Sequence, residues 1–98
     1  MTEVRTFIER RIVPHLPSSV RAISFEVDAW LVTIHAFQHG FLDDDTYERM
    51  EALAEPLKEA LPPRSGESWQ VTVSAHRLDA PAPVPAMGTL VYSKAVPA

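Results

Sequence analysis

Apolar positions recur along the chain with two periods, and the switches between them predict six elements. Val4, Phe7, Ile8 and Ile12 repeat at helical spacing and form one apolar stripe. Thr2 offers a hydroxyl that can cap the opening turn, and Arg10 and Arg11 place positive charge where the helix dipole favours it. Pro14 biases Val13 away from helical dihedrals, so the helix is expected to stop there, with Pro17 reinforcing the break. From Val20 the period becomes two. Ile23, Phe25 and Val27 alternate with Ser24 and Glu26, the pattern of a half-buried strand. Asp28-Ala29 is the expected hairpin turn, although Asp-Gly would suit it better. A second strand is expected from Trp30 to Gln38, with Val32, Ile34 and Ala36 on one face and Thr33, His35 and Phe37 on the other.

Gly40 closes that strand, and Asp43 is placed to cap a second helix. Tyr47, Met50, Leu53, Ala54, Leu57 and Leu61 supply its apolar side. Pro56 cannot donate to the carbonyl of Ala52, which predicts a kink or a split, and Pro62-Pro63 ends the segment. A polar linker at 64–67 leads to a third strand from Trp69 to about His76, with Trp69, Val71, Val73 and Ala75 on one face. Between Asp79 and Met87 three prolines alternate with small residues, favouring a stiff, extended connection. A short fourth strand is expected at Gly88–Lys94, with Leu90 and Tyr92 facing the core and the last few residues frayed.

The order α-β-β-α-β-β predicts a single α+β domain over residues 1–98. Its sheet should be four-stranded and mostly antiparallel, with two helices packed on one face. Strand order is left open. The length of 98 residues and the 46% apolar composition suit one domain with its own core. The absence of cysteine excludes disulfides, thiol catalysis and thiolate-bound metal. Because no apolar run approaches the roughly 20 residues of a membrane span, and the start lacks the basic and apolar regions of a signal peptide, a cytoplasmic protein is expected. The net charge is −4, and the Lys and Arg residues are scattered. Without a basic stripe to neutralise phosphates, neither nucleic acid nor a membrane surface is an expected partner.

Candidate chemistry is thin. His35 and His39 have the i, i+4 spacing of helical zinc sites, but on a strand they stand roughly 13 Å apart. His35, His76 and Glu26 could converge on a sheet face only if their strands are neighbours. No serine sits in a nucleophile elbow, and three glycines leave little for a phosphate-cradling loop. No catalytic residue, metal or cofactor is therefore expected.

Two surfaces stand out instead. Asp44, Glu48, Glu51, Glu55 and Glu59 follow one another at spacings of four, three, four and four, making an acidic stripe along the second helix. Its bland interpretation is a solvated face; its functional one is a docking surface for a basic protein, with charge accelerating encounter. The sheet face away from the helices carries Glu26, Thr33, His35, Phe37 and His76 by parity. One side of an antiparallel sheet is commonly wet, so ordinary solvation accounts for this face too. Alternatively it is the exposed site of a homodimeric small-molecule-binding protein or enzyme.

The run Val20-Arg21-Ala22-Ile23-Ser24-Phe25-Glu26, the hairpin after it and the capped acidic helix from Gly40 to Met50 form one recognisable half. Arg77-Leu78-Asp79-Ala80-Pro81-Ala82-Pro83 with Leu90-Val91-Tyr92 form the other. Together they resemble a group of small bacterial α/β proteins, some of which are similar to immunity proteins for contact-dependent or colicin-type toxins. The resemblance covers most of the chain and is carried by strand and turn residues. Ala29, where a turn glycine belongs, and Pro56 within the helix depart from it. It implies the same fold; the group as a whole has no assigned role, and its immunity-like members point to partner binding.

Overall fold

The computed structural model describes residues 2–62, 68–80 and 82–94. The linker at 64–67 and the last four residues, where fraying was expected, lie outside them. The elements run α1 (Thr2–Phe7), β1 (Val20–Asp28), β2 (Leu31–Gln38), α2 (Asp44–Ala54), α3 (Leu57–Ala60), β3 (Gln70–Arg77) and β4 (Thr89–Ser93). The sheet order is β3-β2-β1-β4. β1 pairs antiparallel with β2 and with β4, whereas β2 and β3 are parallel, joined through the α2–α3 crossover that such a connection requires. The expected α+β architecture holds, with one parallel pair in an otherwise antiparallel sheet.

Helices cover one face of that sheet. Val4, Phe7, Ile8 and Ile12 meet Met50, Ala54 and Leu57 over Ile23, Phe25, Val32, Ile34, Ala36 and Val73 in one cluster. The edge strand β3 is tied to α2 by Tyr47, whose hydroxyl donates to the Val73 carbonyl at 3.2 Å. At the far end of the core the Trp69 indole donates to the Pro62 carbonyl at 2.9 Å and meets Trp30 edge-on.

Several local expectations shift. α1 already includes Thr2, and it does not stop before Pro14. It widens into a π-helical turn over Ile8–Ile12 and tightens into a 3-10 turn over Val13–His15, with Val13 helical and Leu16 the first extended residue. Pro14 is tolerated because it lies at the start of the 3-10 turn, where no backbone donor is required. The hairpin turn is Ala29-Trp30, one residue later than expected, and Ala29 adopts a positive φ of 51°. Asp43 does cap α2, accepting from the Thr46 backbone at 2.9 Å. Pro56 splits the helix as its chemistry demands: the ladder ends with Glu55 donating to Glu51, and a fresh turn begins from the Pro56 carbonyl.

Two corrections concern the far face of the sheet. β4 is bulged opposite β1: Tyr92 pairs with Ile23 and Leu90 with Ser24, leaving Val91 extra. Val91 and Tyr92 therefore pack on the core, while Leu90 turns away and is half exposed. The second correction is larger. Because β3 and β4 lie at opposite edges, the chain between them must cross the whole sheet. It does so over the side away from the helices, burying Ala22, Ser24, His35 and Phe37. The face expected to be wet is roofed by a proline-rich strap.

Candidate functional site

The strap is pinned at its start by a cluster of polar contacts. Leu78 donates from its backbone to the Gln38 carbonyl at 2.7 Å, extending the β2–β3 ladder by one step. Arg21 Nη1 donates to the Leu78 carbonyl at 2.8 Å. The Asp79 carboxylate accepts from the Gly40 backbone at 2.8 Å and pairs with Arg77 at 2.9 Å. These two donors hold its pKa below the ordinary carboxylate value, the Arg77 hydrogen bond contributing most. Ala80 then donates to His39 Nδ1 at 3.0 Å, so His39 serves the strap rather than a metal pair with His35.

At its other end the strap returns to β1 through Gly88. A Cβ on this residue would lie 2.1 Å from the Phe25 carbonyl oxygen, and its φ is +70°. Only glycine allows so close an approach in that conformation.

Beneath the strap the sheet presents Glu26, His35, Phe37 and His76 as one group. The parallel β2–β3 register sets Phe37 opposite His76, and the antiparallel β1–β2 register sets Ser24 opposite His35 and Glu26 opposite Thr33. His35 Nδ1 and His76 Nε2 share a hydrogen bond of 2.9 Å. On its other side His35 Nε2 lies 3.3 Å from Glu26 Oε1, without the alignment of a hydrogen bond. Phe37 stacks on His76 with ring centroids 5.1 Å apart. Burial, and secondarily the neighbouring His35, hold the His76 pKa below its ordinary value.

The expected exposed-face site thus comes together in space but not in the form expected. Phe37 is only 1% exposed and His35 8%, so neither offers a surface to a second subunit. Thr33 lies opposite Glu26 on the same face and makes no side-chain hydrogen bond to the group among the described residues. Nor do the described residues contain a group of three or more His, Asp or Glu side chains arranged to hold a metal ion.

Ser24 gains importance that its lone position in the sequence did not signal. Its side chain is buried and its hydroxyl has no hydrogen-bond partner among the described residues. It forms the floor of a cleft of about 250 Å³ walled by Val84, Met87 and Leu90. Gly88 separates this cleft from a more open hollow of about 430 Å³ that reaches Glu26.

The acidic stripe is placed as expected. Asp44, Glu48, Glu51, Glu55 and Glu59 are all exposed along α2, the Pro56 break and α3. Glu55 pairs with Lys58 at 3.2 Å, and it alone of the five forms an ion pair among the described residues. No described helix is long and apolar enough to cross a membrane. No protein-family model and no curated protein matches the chain, so its chemistry rests on these residues themselves.

Proposed function

We propose that this domain is a non-enzymatic protein-binding module that docks a basic partner through the exposed acidic side of α2 and α3. The observation that carries the reading is the stripe itself. Five carboxylates point into solvent over two consecutive helices, and only Glu55 has a cation beside it among the described residues. Like charges at i, i+4 cost about 0.2–0.5 kcal/mol per pair in an isolated helix, a cost that a basic partner would reverse. The half-exposed Leu42 and the largely exposed Phe41, whose ring carries the Arg77 guanidinium at 5.0 Å, lie just before the stripe and would add apolar contact at its rim. The resemblance to toxin-immunity proteins supplies one class of partner, a basic toxin domain.

The test is native mass spectrometry and binding on a co-purified partner, followed by reconstitution from the two pure proteins. A one-to-one complex that weakens steeply with salt is expected. The charge-reversed variant E48K/E51K/E55K should lose at least a hundredfold in affinity while keeping its circular dichroism spectrum. A complex indifferent to salt and to charge reversal overturns the reading.

A further inference from the structure

The two outer strands of the sheet are finished differently. β4 is short and bulged, and the proline-rich strap leads into it, features that blunt an edge against further pairing. β3 has none of these. It runs for eight residues in unbroken register with β2, holds no proline and no lysine, and keeps its one permanent charge, Arg77, at the end. Gln70 and Leu78 donate their backbone amides to Trp30 and Gln38 on the β2 side. By strand alternation Val71, Val73, Ala75 and Arg77 direct theirs away from the sheet. Tyr47 marks that direction, since its hydroxyl donates to the Val73 carbonyl that β2 leaves free. Among the described residues no strand lies beyond β3.

The acidic stripe overlooks this edge. α2 packs on β3, and Ala52, Leu53 and Pro56 face Phe7, Arg11 and His15 across a shared cleft. Helical spacing puts the stripe on the other flank of α2, with the core-facing side between the two. Asp44 and Glu51, three residues before and four after Tyr47, neighbour it on that flank, and Tyr47 touches the free edge of β3. We propose that the basic partner binds by adding an antiparallel strand to β3, with lysine or arginine at every second position turned toward Asp44, Glu48 and Glu51. This mode of binding rests on the acidic-stripe reading and adds the geometry by which the partner is held. Directly opposed residues of an antiparallel pair share a sheet face. Each partner residue that exchanges hydrogen bonds with Val71, Val73 or Ala75 therefore turns its side chain to the helix side, where Val71 and Val73 meet the core. Its alternate residues face Thr72, Ser74 and His76, which carry no negative charge. Charge also selects against a second copy of the chain. Pairing β3 with itself about a two-fold axis would set two acidic stripes on one face across the seam.

Two-dimensional amide NMR of the whole protein, titrated with an end-capped peptide alternating lysine with threonine, tests the proposal. Saturable shifts at Val71, Val73, Ala75 and Arg77 are expected, with slower hydrogen exchange at the Val71 and Ala75 amides. A peptide alternating glutamate with threonine should bind at least tenfold more weakly. So should the lysine peptide N-methylated at its lysines, which keeps every charge and removes the donors that face β3. A75P puts a proline ring in place of an outward amide on an edge strand, and should also lower affinity at least tenfold. Should that variant fail to fold, the N-methylated peptide decides the matter on the wild-type protein. E48K/E51K/E55K should weaken the parent peptide at least tenfold. If charge reversal weakens binding but the N-methylated peptide binds like its parent, strand addition is overturned and the acidic-stripe reading stands. If N-methylation alone weakens binding, the basic character of the strand is overturned, and the stripe reading with it. The proposal is equally overturned if millimolar peptide gives no saturable shift along β3, or if the protein forms a homodimer that A75P abolishes.

Discussion

His35 and His76 are 41 positions apart in the chain, yet their Nδ1 and Nε2 atoms lie 2.9 Å from each other beneath the strap. Only one of two facing ring nitrogens can carry the bridging hydrogen. The geometry therefore suits a pair that is neutral or carries one proton, and it opposes two positive rings.

That constraint sets a pH dependence. Burial, and then the charge of His35, hold the His76 pKa below the ordinary histidine value of 6.5. The unfolded chain accordingly binds a proton more readily than the folded one. Stability from this group is complete above about pH 6.5 and is lost as pH falls through that value toward the depressed folded pKa. Melting temperature should be flat from pH 7 to 8 and decline below 6.5, before the carboxylates begin to titrate. His76→Gln should flatten the decline between pH 6.5 and 5; an unchanged slope would assign the acid sensitivity elsewhere.

Phe37 provides the sharpest test of the strap. An exposed aromatic on a wet sheet face would be replaceable at little cost. Buried to 1% between the sheet and its roof, Phe37→Ala should instead cost about 3–5 kcal/mol of unfolding free energy. Urea denaturation measures this directly, and a loss below about 1 kcal/mol would mean that the strap does not close over β2.

Gly88→Ala should be severe for a single methyl group. The added carbon would lie 2.1 Å from the Phe25 oxygen, against backbone rather than a movable side chain, in a positive-φ conformation. A loss of about 2 kcal/mol or more is expected, together with faster hydrogen exchange across the β1–β4 pair. Retained protection at Ser24 and Phe25 would refute the close approach.

At the hairpin the effect should be opposite. Ala29 holds a φ of 51°, where a Cβ is unfavourable, and it lies at the first position of a two-residue turn. Ala29→Gly should stabilise the domain by up to about 1 kcal/mol, the relief of strain exceeding the added freedom of the unfolded chain. A lower melting temperature in this variant would contradict the turn geometry.

Local chemistry was legible in the sequence; long-range geometry was not. The Asp43 cap, the Pro56 split and the alternation of Val32, Ile34 and Ala36 each depend on neighbours within a turn or a pleat, and each appears as expected. The side that Leu90 faces and the burial of Phe37 were not legible, for a different reason. The orientation of Leu90 depends on a bulge whose partner, β1, is some sixty residues away, and the burial of Phe37 depends on β3 and β4 lying at opposite edges. Parity put Glu26, His35, Phe37 and His76 on one face correctly, but only the parallel β2–β3 pairing brings the two imidazoles into contact. Ser24 could have been noticed as a small hydroxyl in the middle of an apolar strand. Its lack of a partner is a property of the roof above it, and that roof is built from residues about sixty positions later.

The pairing of β4 with β1 also sets a timetable for synthesis. β1 emerges from the ribosome well before β4, and β2 can cover one of its edges at once through the hairpin. Its other edge waits for Thr89–Ser93, which must be translated after α2, α3 and β3. Throughout that interval β1 presents a row of unpaired amides, with Ala22, Ser24 and their neighbours still uncovered, to any other nascent chain nearby. A ribosome stalled in the strap would therefore display an adhesive sheet edge, and the last strand acts as the step that retires it.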